Sequence, residues 1–224
     1  MSVLLFATLL VLVGACGGSS DDDSGLARGS ETTAALAAGA DAPATTETST
    51  RQITIDVSIY IVDGESPELR SSRTVEEVRA ILERVNEIWA STGITFDVAH
   101  VARITAPDEP LAAVVAGGIN EFLAALGNEV ALEQPSTLNI FYVRAIGGPN
   151  GIAPTGTRVA LVIDRPSVDD ERVTAHELGH HLGLHHVLTD EGRLLFPGTN
   201  GRTLTEEEAQ VAAYVARGLL NGVR

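Results

Sequence analysis

The chain has 224 residues and a formal net charge of −15 at pH 7, enough length for one domain with a good core and flanking segments besides. It has no lysine, and from residue 51 onward 14 arginines stand against 24 acidic residues. That balance argues against a nucleic-acid partner, which calls for a basic face, and against adsorption to anionic lipid headgroups. The single cysteine, Cys16, excludes an internal disulfide and a cysteine-based zinc site.

In chain order, residues 3–13 form an apolar run too short for a comfortable membrane span but of the length of a signal-peptide h-region. It ends at Val13-Gly14-Ala15-Cys16, which resembles the lipobox of bacterial lipoproteins. The resemblance implies cleavage of residues 1–15 and lipidation of Cys16. No Lys or Arg precedes the run, and an ordinary secretory signal is the alternative. Residues 16–50 are rich in Gly, Ser, Thr, Ala and Asp, include Asp21-Asp22-Asp23 and show no apolar periodicity. They read as a flexible acidic tether, with an inhibitory pro-segment as the competing reading. The expectation is an exported protein at the cell surface or in the periplasm, touching the membrane only through its lipid anchor; the alternative is soluble secretion.

The domain is expected over 51–224. Gln52 to Val62 alternates, with Ile53, Ile55, Val57, Ile59 and Ile61 on one side and Thr54, Asp56, Ser58 and Tyr60 on the other, the pattern of a half-buried strand. Thr74 and Glu77 form a capping box, after which Val75, Val78, Ile81, Leu82, Val85, Ile88 and Trp89 recur at helical spacing up to Gly93. Ile94–Ile104 reads as a second strand, Leu111–Leu126 as one helix, and Leu138–Ile146 and Arg158–Ile163 as further strands. Gly147 to Gly151 reads as a loop. Ser167, with Asp169 and Asp170, is expected to cap the next helix, and Thr205 with Glu208 to cap a last helix ending near Leu219. The fold class is α/β: a mixed twisted sheet, a helix carrying the motif described next, and a C-terminal helix.

Five of the six histidines fall between residues 176 and 186. His176-Glu177-Leu178-Gly179-His180-His181-Leu182-Gly183-Leu184-His185-His186 fits H-E-x-x-H-x-x-G-x-x-H. On a helix, positions i and i+4 share a face, so His176 and His180 can aim at one metal ion. Gly183 can stop the helix in the left-handed conformation, letting the chain return with His186 as third ligand. Three neutral imidazoles leave a tetrahedral Zn²⁺ one open position, the arrangement of a catalytic ion. Glu177, beside the first ligand, can act as general base towards water there. His181 and His185 match no ligand position, and His100 lies in a strand.

These residues resemble the zinc helix of the metzincin metalloproteases, and the element order from residue 51 onward is similar to the metzincin (zincin) catalytic domain. The family carries a tight turn with a methionine beneath the zinc. Leu194-Leu195-Phe196-Pro197-Gly198 resembles that turn, with Leu195 at the methionine position. Thr203-Leu204-Thr205 is also similar to bacterial members. Val187 after the third histidine, and a turn lacking tyrosine, assign no subgroup. Tyr60, Tyr142 and Tyr214 lie elsewhere and read as structural.

The resemblance implies a zinc endopeptidase with one Zn²⁺ per chain, acting on a peptide or protein. Such a substrate would lie along an edge strand, for which Gly151–Gly156 is the candidate stretch. Two rivals remain open. One is a non-proteolytic zinc-binding adhesion or binding module. The other is a metallohydrolase of cell-wall peptides or small amides.

Overall fold

The structure is a computed structural model that describes residues 52–116, 118–126, 130 and 136–222; the signal peptide, Cys16 and the tether expected over 1–50 lie outside them. Five strands form one sheet: β1 (Ile53–Gly64), β2 (Ile94–Ala106), β3 (Leu138–Val143), β4 (Gly151–Ile152) and β5 (Val159–Ile163), in the order β2-β1-β3-β5-β4. The first four positions in that order run parallel, and β4 alone is antiparallel, paired as Gly151 with Val162 and Ile152 with Leu161 at the sheet's edge. The sheet is therefore mixed, as expected.

Helices cover both faces. On one side lie α1 (Val75–Trp89), α4 (Asp170–His181) and α5 (Glu206–Leu220), sharing a core with Ile55, Val57, Ile59, Leu138, Ile140 and Val162. On the other lie α2 (Asp108–Val115) and α3 (Ile119–Leu126), packed with Tyr60, Val62, Phe141, Val143 and Leu161. The alternation along β3 and β5 splits their side chains between these two cores, which a sheet covered on both faces requires.

Three expectations need correction. β1 is half-buried only at its start: Ser58, Tyr60 and Val62 are all buried, because α2 and α3 cap the far face from there on. The helix expected over Leu111–Leu126 is two helices. The first turns off at Ala116, whose N–H reaches back to the Ala113 carbonyl at 3.0 Å, and a Cβ on Gly118 would stand 2.9 Å from that of Ala113. Ser167 does not cap α4. Its backbone N–H donates to Asn150 Oδ1 at 2.9 Å, and the capping position belongs to Asp169, whose side chain makes no cap bond and pairs with Arg202 at 2.6 Å. The capping boxes at Thr74/Glu77 and Thr205/Glu208 are both formed, and Gly93 takes the left-handed conformation at φ 74°.

Candidate metal centre

α4 is buried continuously from Glu171 to Gly179, so every polar side chain on it needs a partner or a cleft to face. His176 and His180 lie one turn apart on one face. The helix then closes in a Schellman turn: Gly183 N–H donates to the His180 carbonyl at 3.1 Å and Leu184 N–H to the Gly179 carbonyl at 3.0 Å. Gly183 holds φ 81°, the left-handed conformation that favours glycine. The reversed chain is pinned by Val187 N–H donating to the Leu195 carbonyl at 3.1 Å, and His186 faces the two helical histidines.

The three Nε2 atoms form a near-equilateral triangle. His176 and His180 are 3.1 Å apart, and each is 3.2 Å from His186. These are not hydrogen bonds among the rings. His176 Nδ1 donates to the Leu194 carbonyl at 2.7 Å and His180 Nδ1 to the Leu184 carbonyl at 2.9 Å, which leaves a lone pair on each Nε2. Lone pairs facing each other at that range repel unless a cation sits among them. Nitrogens about 2.0–2.1 Å from one tetrahedral Zn²⁺ stand roughly 3.3 Å from each other, so the donor set and its spacing fit the ion. Burial pushes the His176 imidazolium down to about 3 and lowers that of His180. Both rings are therefore neutral, the form that binds metal.

Glu177 lies in the same cleft, 5% exposed and with no hydrogen bond to protein among the described residues. Burial pushes its carboxyl up to about 8, against the pull of the Arg172 charge. The edge strand β4 runs directly over it: a Cβ on Gly151 would stand 2.7 Å from Glu177 Oε1 and 2.9 Å from Val173. Only glycine lets strand and carboxylate approach this closely. The cleft holds about 970 Å³ and is lined by Gly148–Thr157, the three histidines, Glu177, Pro197 and Gly198. The stretch expected as a substrate edge is thus one wall of it.

Leu195 is fully buried beneath the helix, and a Cβ on Gly179 would stand 3.3 Å from its Cδ2. It packs under the turn of helix that joins the two ligands. Among the other histidines, His185 is exposed and His100 is an exposed β2 residue with its ring against Tyr60. His181 lines the cleft and bonds towards the Val159 main chain, and burial pushes it down to about 4. Tyr142 is buried under α4 with its hydroxyl 3.1 Å from Thr174 Oγ1, Tyr60 stacks on Phe141, and Tyr214 is exposed on α5.

Two site residues escaped the sequence reading. Gly151 looks like any loop glycine until the approach of Glu177 is seen. Arg172 left a readable signal: four residues before His176, it lies on the ligand face of the same helix. It is 3% exposed, lines the cleft and donates to main-chain carbonyls of the Leu194–Phe196 turn.

No protein-family model matches the chain, and no curated protein is similar to it in sequence. Among solved structures it is similar to the crystal structure of metalloproteinase-II from Bacteroides fragilis, at 16% identity and TM-score 0.47, over 74% of this chain and 54% of that one. It is also similar to a structure described as a chaperone–substrate complex, at 17% identity and TM-score 0.48, over 76% of this chain and 35% of that one. The chain thus spans about half the length of the first and a third of the second. Likenesses of this size carry no inference about activity; the site's own chemistry does.

Proposed function

We propose that the chain is a zinc-dependent endopeptidase of metzincin type, with His176, His180 and His186 holding one Zn²⁺ and Glu177 as general base. The observation that carries this reading is the convergence of three imidazole Nε2 atoms at 3.1–3.2 Å in a cleft that also holds a buried carboxyl without a hydrogen bond to protein among the described residues. A Zn²⁺ held there supplies Lewis-acid polarisation of a carbonyl and acidifies water. The charge of an ion held there would ionise the Glu177 carboxyl, which stays protonated at neutral pH in its absence. The carboxylate would then take a proton from the attacking water and hand it to the leaving amine. The main chain of β4, on its side away from β5, presents hydrogen-bonding groups to an extended peptide. Leu194 and Leu184 hold the first two ligand rings through their carbonyls and so fix the tautomer each presents.

The test is cleavage of a diverse peptide library by the purified chain, with and without a chelator. Cleavage lost on chelation and restored by Zn²⁺ supports the peptidase. Zinc bound in one equivalent with no peptide cleaved points to a binding module instead, and cleavage confined to cell-wall peptides or small amides to the narrower hydrolase.

The sequence alone supports a further proposal, that Cys16 is lipidated and anchors the domain outside the cytoplasm through residues 16–50. Mass spectrometry of membrane fractions tests it; a mature protein with a free Cys16 thiol refutes it and leaves soluble secretion.

A further inference from the structure

We propose that Arg172 is a positioning residue for the metal centre: it fixes the turn that orients the first ligand, and so sets the metal affinity of the site. The inference rests on the zinc-site reading above. Arg172 precedes His176 by one turn of α4 and is almost fully buried. Its Nη2 donates to the Leu194 carbonyl at 2.8 Å and to the Phe196 carbonyl, and its Nε donates to the Gly201 carbonyl at 3.4 Å. It forms no ion pair with a carboxylate among the described residues. The Glu177 carboxyl in the same cleft feels its charge without a hydrogen bond to it. A buried cation whose hydrogen bonds all go to carbonyls is costly, and the carbonyls it holds are not arbitrary.

The Leu194 carbonyl is shared. It also accepts the Nδ1 proton of His176, at 2.7 Å. Helix, ligand ring and turn therefore meet at one oxygen atom, which Nη2 of the guanidinium also holds. Nη2 holds both turn carbonyls while Nε reaches the Gly201 carbonyl; holding all three at once takes the planar, spaced donors of a guanidinium, which a point-like ammonium cannot reproduce. The guanidinium compensates for a second feature of this turn. The Leu195 side chain fills space under the helix by apolar contact, which sets the height of the turn, and Val187 N–H directs only the carbonyl of Leu195 itself, not those of Leu194 and Phe196 on either side. Arg172 supplies the direction. Partners of this kind behind a metal ligand typically change affinity by about 10–100-fold when removed.

The experiment measures Zn²⁺ and Co²⁺ affinity of the full chain by competition with a chromophoric chelator, on wild type, Arg172→Lys, Arg172→Gln and Arg73→Met. Arg73 is the control. It pairs with Asp170 at 2.5 Å at the start of the same helix, away from the turn, so its loss destabilises α4 without touching the shared oxygen. The expected result is an affinity about 10–100-fold weaker in both Arg172 variants, a lower d–d absorption of bound Co²⁺ as its geometry loosens, and wild-type affinity in Arg73→Met despite a lower Tm. Unchanged affinity in a folded Arg172 variant overturns the proposal. So does equal weakening in Arg73→Met, which would mean general loosening of the helix. If neither Arg172 variant folds unaided, both are measured in a stabilising osmolyte such as sucrose, where weakened affinity against wild type in the same medium supports the proposal and wild-type affinity overturns it. A wild-type chain that binds neither ion overturns the zinc-site reading itself, and this inference with it.

Discussion

α1 and α4 pack against each other on the same face of the sheet, yet they are stabilised in opposite ways. α1 buries Val78, Ile81, Leu82, Val85 and Trp89 and turns Glu76, Glu77, Arg79, Glu83 and Glu87 to solvent. Apolar burial holds it, and its sequence says so. α4 is buried all round and carries Arg172, Thr174, His176 and Glu177 into the interior. It is held by polar groups finding partners: Arg172 and His176 on the Leu194 carbonyl, Thr174 on the Asp170 carbonyl, Glu171 on Arg84 and Arg202. Glu177 is the exception, and it faces the cleft. The contrast separates residues kept for folding from residues kept for chemistry.

Substitutions can break that division in either direction. His186→Ala has the largest expected effect. It removes one of three ligands, so bound zinc falls from one equivalent towards none in elemental analysis and peptidase activity disappears, while the exposed neighbour His185→Ala keeps full stoichiometry. Glu177→Gln comes next: activity should fall by about a hundredfold or more with zinc content nearly unchanged, and a fully active variant would sink the mechanism. On α1 the pattern inverts. Ile81→Ala should cost about 2–5 kcal/mol of stability in denaturant unfolding, while the folded fraction keeps one zinc and its activity.

The pH dependence of the chelated protein sharpens the comparison further. His176 at about 3 and His181 at about 4 lie below the ordinary imidazole value through burial. The unfolded chain therefore binds protons below about pH 6.5 that the folded chain does not, and stability rises with pH from roughly 4 to 6.5. Glu177, pushed up to about 8, acts the other way: the unfolded carboxyl ionises near 4.5 while the folded one stays protonated, so its contribution declines up to pH 8. Above about pH 6.5 only that decline remains among these groups. Thermal melts in chelator should peak near there, and Glu177→Gln should flatten the alkaline side. The smallest effect is expected from Leu195→Met, a swap of similar volume that should move stability by less than about 1.5 kcal/mol and leave zinc and activity within a small factor.

What the sequence made legible follows the same division. The helix of Val75–Trp89, the two capping boxes and the longer strands could be read because each is written in neighbouring residues. So could His176, His180, Gly183 and His186, whose spacing is itself the geometry. Relations between distant segments were not legible. Tyr60 and Ser58 read as outward-facing until α2 and α3 cover them. Ser167 reads as a cap until Asn150 claims it. Gly151 gains its meaning only from Glu177, 26 positions later in the numbering.

All three proposed metal ligands come from one stretch of eleven residues, 176 to 186. Closing so short a loop costs little chain entropy, so the unfolded chain can also gather those histidines around an ion. A ligand stabilises a fold only through its preference for the native state over the unfolded one. Zinc should therefore raise the melting temperature of this domain less than its affinity for the native site would suggest. Recruitment of an ion at the proposed site and survival of the fold would thereby be partly uncoupled, so that the chain should release a metal held there and take it up again without unfolding.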